Sequence, residues 1–389
     1  MNLESIQQEL RALELDGWLF FDHHERDPLA YRILGFKPAR HVTRRWYYWI
    51  PASGEPVALT HRIEAGMLDA LPGETRHYSG WREQQEALGA MLSGCRRAAM
   101  QYSPLCAIPY VSLVDAGTVE LVRSFGVDVV SSADLVQMFE ARWTAEAYAS
   151  HLEAGRRIDR IRAAAFQFAA GGVHGAGIDE HRVQQFIREA FDREGLFTDH
   201  GPIVAVNANA SNPHYEPTAE VSAPIRAGDL LLIDLWAKLK QPGSTYYDIT
   251  WTAVCAGEPT ERMRSVFAIV REARDRAVRT VAEAIAAGRP LRGFEVDDAA
   301  RGYIAAQGYG QYFTHRTGHS IGEDVHGAGA NMDHLETRDE RRVLSRTCFS
   351  VEPGIYLEDF GIRSEVNVYA GDEAAGVTGE VQTELPRIG

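Results

Sequence analysis

The stretch HRTGHSIGEDVHG, residues 315–327, places three histidines, His315, His319 and His326, among glycines. His315 and His319 are four residues apart, a spacing that would put two imidazoles on one face of a helix, as in zinc proteases. However, the glutamate of the H-E-x-x-H motif is absent, and the intervening glycines disfavour a helix. If these histidines bind a metal or act on a substrate, the other ligands must come from elsewhere in the chain.

Upstream of this stretch, residues 230–254 (LLLIDLWAKLKQPGSTYYDITWTAV) contain two β-rich runs joined by a segment with a Pro-Gly pair. This pattern predicts a β-hairpin. Asp234 and Asp248 lie symmetrically about residue 241, so we expect the two carboxylates to lie roughly opposite each other. Carboxylates that face each other destabilise a hairpin unless a cation lies between them.

Downstream, residues 348–370 (CFSVEPGIYLEDFGIRSEVNVYA) repeat the arrangement, with Glu352 and Glu365 in the positions that a hairpin brings face to face. Either acid pair alone is also typical of a solvated strand face or of a salt bridge. Two such pairs on either side of the histidine stretch predict one shared site instead. Four carboxylates and an imidazole suit two Mn(II), Co(II) or Fe(II) ions, with Zn(II) as a further alternative. Such a centre activates a water and polarises a carbonyl, which indicates metal-assisted hydrolysis of an amide bond.

The composition is that of an ordinary globular protein, with 389 residues, 45% of them hydrophobic and 24% charged. A formal net charge of −14 argues against binding of nucleic acid. The four cysteines form no C-x-x-C pair, which favours a reducing, cytoplasmic location. The N-terminus lacks the pattern of a signal peptide, and no apolar run is long enough to span a membrane, so we expect no membrane association.

The alternation of strand-like and helical stretches predicts an α/β domain over residues 1–142. Thr144 is a candidate N-cap of a long helix that we expect to end at the glycine pair 171–172. Further helices are predicted at about 178–195, 259–287 and 294–307, in a second domain that spans residues 143–389.

The order of these motifs resembles that of the pita-bread metallopeptidases. It consists of two aspartates, H-x-x-x-H-x-x-G-x-x-x-H, E-P-G and G-I-R-x-E, within residues 200–370. The family includes methionine aminopeptidase, aminopeptidase P, prolidase and creatinase. The resemblance implies an α+β pita-bread catalytic domain with a dinuclear metal site, preceded by a creatinase-like N-terminal α/β domain. The stretch DPLAYRILGF (27–36) is similar to a motif of that N-terminal domain.

The resemblance also implies a set of metal ligands. Asp234 would bind one metal, and His319 and Glu352 the other, while Asp248 and Glu365 would bridge both. The metals would be two divalent ions, with Mn(II) the first choice.

Other residues are implied to act on the substrate. Glu352 lies where the family has its proton shuttle, and His326 and His315 match histidines that contact the substrate or the tetrahedral intermediate. His214, in NASNPHY, matches a further substrate-side histidine, and Arg363 matches a residue that supports the site.

The implied function is that of an Xaa-Pro dipeptidase (prolidase), acting on a peptide with proline at the second position and working as a homodimer. The close alternative is aminopeptidase P, which acts on longer Xaa-Pro peptides. A creatinase-like C–N hydrolase and a binding module that has lost its activity are further alternatives, but both are expected to lack part of the ligand set. The chain departs from the family pattern in a longer hairpin between its two aspartates and in Gly327, where an acidic residue is frequent.

Overall fold

The structure, a computed structural model, describes residues 1–37 and 41–389, which form two compact units, Met1–Glu140 and Ala141–Gly389. Within these described ranges, no helix has the length and apolar character needed to cross a bilayer.

The first unit is built on one six-stranded sheet with the order β4-β3-β2-β1-β5-β6. All strands except β2 run in the same direction, because β2 is antiparallel to both β1 and β3 while the other neighbouring pairs are parallel. The strands are β1 (Gly17–Asp22), β2 (Trp46–Pro51), β3 (Val57–His61), β4 (Glu74–Tyr78), β5 (Arg97–Met100) and β6 (Asp128–Ser131).

The described residues of this unit form five α-helices, and the aromatic run Trp46–Trp49 of β2 is buried in its core. The helices are α1 (Leu3–Ala12), α2 (Pro28–Leu34), α3 (Trp81–Met91), α4 (Ala116–Ser124) and α5 (Ala133–Val136), which Gln137–Ala141 extends as a π-helical turn. The alternation of strands and helices agrees with the predicted α/β character of this part of the chain.

The second unit combines four α-helices with several mainly antiparallel sheets, in which β12 and β19 form a parallel pair. The helices are α6 (Ala145–His174), α7 (Glu180–Arg193), α8 (Glu261–Ala286) and α9 (Gly293–Ala306). The strands are β7 (Ile178–Asp179), β8 (Leu196–Phe197), β9 (Ile203–Val206), β10 (Pro224–Ile225), β11 (Leu230–Leu239), β12 (Tyr247–Cys255), β13 (Ser320–Ile321), β14 (Thr347–Val351), β15 (Gly354–Tyr356), β16 (Gly361–Arg363), β17 (Val366–Ala370), β18 (Ala375–Val377) and β19 (Arg387–Ile388).

The helix predictions were right apart from the end of α6. Thr144 caps α6 by accepting a hydrogen bond from the amide of Ala147. The helix does not end at the glycine pair but continues to His174. A Cβ at Gly172 would lie 2.5 Å from the Cβ of Ile178, so this glycine permits close packing of β7 on the helix and does not terminate it.

The hairpin of β11 and β12 separates an apolar face from a polar face. Apolar residues at alternate positions, such as Leu231, Ile233 and Ile249, pack against α6 and α7. Because side chains alternate across a strand, Asp234 and Asp248 lie on the opposite face. Burial of the apolar face therefore fixes the side of the sheet on which the acids lie.

The register of this hairpin differs from the prediction. Asp234 pairs with Thr250, and Asp248 pairs with Trp236, so the two acids are diagonal neighbours and not opposite each other. The strands pair about residue 242, one position beyond the centre that we expected. In an antiparallel sheet, diagonal neighbours still share one face.

The second hairpin has the predicted register. Val351 pairs with Val366 in the outer ladder, and Gly354 pairs with Arg363 in the inner ladder. Glu352 and Glu365 lie in the gap between these two ladders, opposite each other. The backbone amide of Glu365 donates to the carbonyl of Thr250 at 3.1 Å, which joins this hairpin to β12. The two hairpins therefore bring their acids to one place.

Candidate metal centre

Five side chains that the sequence singled out meet between the two hairpins. Asp248, His319 and Glu365 are buried, and each offers a ligand atom within 4.8 Å of those of the other two. The Nε2 atom of His319 lies 3.5 Å from a carboxylate oxygen of Asp248 and 3.5 Å from one of Glu352. Asp234 joins the cluster through its position beside Asp248 on the hairpin face.

Arg363 is the cation that contacts this cluster most extensively. Its guanidinium pairs with Asp234, donates to the hydroxyls of Thr250 (3.0 Å) and Tyr356 (3.1 Å), and lies 4.0 Å from Glu352. The residue is 2% exposed, so these contacts are made away from bulk water. Arg363 therefore contacts two of the four acids directly.

The charges within the cluster do not balance. Four carboxylates are gathered around one arginine and one histidine whose pKa is lowered by burial, so the histidine is mostly neutral near pH 7. Burial also raises the pKa values of all four carboxyl groups, to about 6 for Asp234 and about 7 for Asp248. Buried charge of one sign is strongly unfavourable unless a counter-charge is present.

Two orphaned oxygens support the presence of cations. The Oδ1 atoms of Asp234 and Asp248 are buried and have no hydrogen-bond partner among the described residues. Buried polar atoms almost always have a partner, so these two atoms need an explanation. Two divalent cations would satisfy both oxygens and supply four positive charges for four carboxylates. The donor set therefore fits a site for divalent metal.

The three histidines that the resemblance places on the substrate side, His326, His315 and His214, differ in how they contact the cluster. The ring of His326 contacts that of His319, with centroids 4.3 Å apart, and is open to solvent. The Nε2 atom of His315 lies 2.6 Å from the hydroxyl of Tyr356, so His315 contacts the cluster indirectly, through Tyr356 and Arg363. His214 is exposed. The pKa of His326 is lowered first by the neighbouring His319, then by desolvation of its ring, and to a smaller extent by Arg316 and His214.

Sequence reasoning missed the residues that hold the acids in place. Thr250 donates to Glu365 at 2.8 Å, and Ser350 donates to Glu352 at 3.0 Å. Asn367 accepts from the backbone amide of Asp248 and donates to its carbonyl. Thr250 and Ser350 each lie two residues from a predicted ligand, so the period-two alternation of a strand was the signal that could have identified them.

Comparison with known proteins places the chain in a family. Residues 149–372 match the model of Metallopeptidase family M24. The chain is 34% identical over 164 residues to an Xaa-Pro dipeptidase of Lactobacillus helveticus, a match that covers 42% of this chain and 40% of that protein. It therefore spans well under half of the length of that relative.

Two longer matches cover most of the chain. A probable dipeptidase PepE of Mycobacterium tuberculosis is 26% identical over 332 residues, which are 84% of this chain and 81% of that protein. The crystal structure of dipeptidase PepE from Mycobacterium ulcerans has a TM-score of 0.72 and 23% identity, and covers 99% of this chain and 96% of that one. This likeness shows a shared fold. Because the family model matches more than half of the residues, the chain belongs to metallopeptidase family M24 and has the pita-bread metallopeptidase fold.

Proposed function

We propose that the protein is a metal-dependent dipeptidase that hydrolyses Xaa-Pro dipeptides. The observation that carries this proposal is the group of four carboxylates around His319, three of them buried and two of them with orphaned oxygens. Relatives that are named Xaa-Pro dipeptidase give the substrate class. Two divalent ions at this site would supply a nucleophilic water near neutral pH and a Lewis acid for the scissile carbonyl.

The proposed ligand set contains all five predicted residues. Asp248 and Glu365 would bridge both ions, Asp234 would bind one ion, and His319 and Glu352 would bind the other. Four carboxylates and one imidazole form an oxygen-rich set, so our first choice of metal is Mn(II), and Co(II), Zn(II) or Fe(II) are the alternatives.

Glu352 is our candidate for proton transfer. Its side chain is 15% exposed, which leaves it open to substrate, and burial raises its pKa towards the range in which it can carry a proton. Ser350 fixes one of its oxygens by a hydrogen bond of 3.0 Å. Glu352 would take a proton from the attacking water and deliver it to the proline nitrogen as the C–N bond breaks.

Three histidines are proposed to bind the substrate and the transition state. His326 is open to solvent beside His319, so its imidazole can donate to the oxygen of the developing tetrahedral intermediate. His315 is held by Tyr356 and by the carbonyl of Arg316, at 2.7 Å from Nδ1. His214, on an exposed loop, would contact the substrate from the side of His326.

Aminopeptidase P activity on longer peptides is the main alternative. An assay of the manganese-loaded protein against an Xaa-Pro dipeptide, the matching tripeptide, an N-blocked dipeptide and creatine distinguishes these functions. We expect the highest kcat/KM for the dipeptide and no cleavage of the N-blocked dipeptide or of creatine. Turnover of the tripeptide at an equal or higher kcat/KM would favour aminopeptidase P, and cleavage of creatine alone would favour a creatinase-like hydrolase.

The roles of the two domains, the oligomeric state and the location of the protein are further parts of this proposal. Residues 1–142 would form a creatinase-like domain that limits substrate length, and residues 143–389 would form the catalytic domain. We further propose a homodimer in the cytoplasm. The basis for this location is that the four cysteines of the sequence form no C-x-x-C pair.

A further inference from the structure

A cavity of about 790 Å³ lies within the unit Met1–Glu140, at the carboxyl edge of its sheet. Its lining includes Phe21 and His23 at the end of β1, His61 at the end of β3 and Tyr78 at the end of β4. In open α/β sheets, ligands bind in crevices outside the carboxyl ends of the strands. The volume is also within the range of small-molecule sites.

The lining of this cavity is rich in arginine. Arg26, Arg44 and Arg45 contribute three positive charges, and Asp115 is the single acid, so the lining carries a net charge of +2 when its histidines are neutral. The whole chain carries a net charge of −14, so composition alone does not lead us to expect a cluster of cations. Arginine matches carboxylate and phosphate groups in both charge and geometry.

The nearby acids are already bound to other groups. Asp115 caps α4 and accepts hydrogen bonds from the amide (2.9 Å) and hydroxyl (2.8 Å) of Thr118. Glu64, near Arg44, accepts from the amide (2.9 Å) and hydroxyl (2.5 Å) of Thr43. Among residues 1–37 and 41–140, no carboxylate oxygen lies within ion-pair distance of these three guanidinium groups, although the charge of Arg26 helps to lower the pKa of Asp115. The guanidinium of Arg44 donates only to the carbonyl and hydroxyl of Thr43, at 3.1 Å each.

The positive charge of this region affects the pKa of His23. Its pKa is lowered first by burial and then by the charges of His24, Arg26 and Arg45. A bound anion would offset this repulsion.

We propose that this cavity binds a small anion, with Arg26, Arg44 and Arg45 as the residues that recognise its carboxylate or phosphate group. The apolar walls formed by Phe21 and Tyr78 would contact the rest of the molecule. This site is separate from the metal centre, whose ligands all belong to the other unit, and it requires neither metal nor catalysis.

Isothermal titration calorimetry on the full-length, EDTA-treated protein tests this proposal, with inorganic phosphate and succinate as separate probes. We expect saturable binding of at least one probe, and the stronger of the two identifies the favoured group. The double variant Arg44→Gln/Arg45→Gln and the single variant Arg26→Gln should each weaken binding at least about tenfold, because a hydrogen bond to a charged group is lost.

Arg82→Gln is the matched control, because Arg82 is an exposed arginine on α3 outside the cavity lining. It should leave the affinity unchanged. All substituted side chains are exposed, so the variants should melt like the parent protein. The proposal is overturned if neither probe binds at millimolar concentrations, or if the control weakens binding as much as the cavity variants do. Binding of heparin without either small anion would also overturn it, in favour of a surface for polyanions.

Discussion

Replacement of Arg363 by methionine should destabilise the metal-free protein far more than the metal-loaded protein. Arg363 is 2% exposed and pairs with Asp234, so its removal leaves a buried carboxylate without a counter-charge. Removal of one partner of a buried ion pair costs about 3–5 kcal/mol. For a unit of the size of Ala141–Gly389, each kcal/mol corresponds to about 2–4 °C in Tm, so we expect a loss of roughly 6–20 °C.

Differential scanning calorimetry measures this effect directly, in EDTA and again with excess Mn(II). With metal bound, the added positive charges offset the carboxylates, so the loss caused by Arg363→Met should shrink. Arg264→Met is a suitable control, because Arg264 forms an exposed pair with Glu258 that is expected to contribute less than about 1 kcal/mol. A loss of Tm in EDTA no larger than that of this control, or an equal loss with and without Mn(II), would refute the assignment of a cation-dependent acid cluster.

Three further predictions address the chemistry, the substrate and the first unit. His326→Ala should retain its metals but lose about 10²–10³-fold in kcat, because a donor to the transition state is removed; loss of metal in elemental analysis would instead make His326 a ligand. The intact protein should have a higher kcat/KM for an Xaa-Pro dipeptide than for a tripeptide with the same first two residues, and the reverse order would contradict a dipeptidase. Asp27 is buried and caps α2 by accepting a hydrogen bond from the amide of Ala30 at 2.9 Å. Burial raises its pKa from 3.8 to about 7, so the stability that its protonated form contributes is lost as pH rises through 7. Asp27→Asn stays neutral and should therefore raise the melting temperature in calorimetry more at pH 8 than at pH 5, and an equal change at both pH values would contradict this.

The sequence predicted the location of the acids better than their exact pairing. Glu352 and Glu365 have the predicted register because their hairpin continues through a second ladder between Gly354 and Arg363. Asp234 and Asp248 are shifted by two residues, because the tip of their hairpin is long and its pairing is decided by packing of the apolar face. Symmetry about a turn therefore predicts a shared face more securely than it predicts a partner.

Residues that act through tertiary contacts could not be predicted from sequence patterns. Tyr356 connects Arg363, on the same hairpin, to His315, which lies 41 residues before Tyr356 in the chain. Glu180 is fully buried and accepts hydrogen bonds from the amide of Val206, before the loop that carries His214, and from the hydroxyl of Tyr215, which directly follows His214. Their spacing follows no motif, and only the folded arrangement gives them partners.

The metal content of the wild-type protein and of Asp248→Ala tests the central claim most directly. After reconstitution with Mn(II) and removal of free metal, inductively coupled plasma mass spectrometry should find two ions per wild-type chain. Asp248→Ala should retain fewer ions and have no activity, because a bridging ligand serves both ions. Two ions and full activity in Asp248→Ala, or no retained metal in the wild-type protein, would contradict the account.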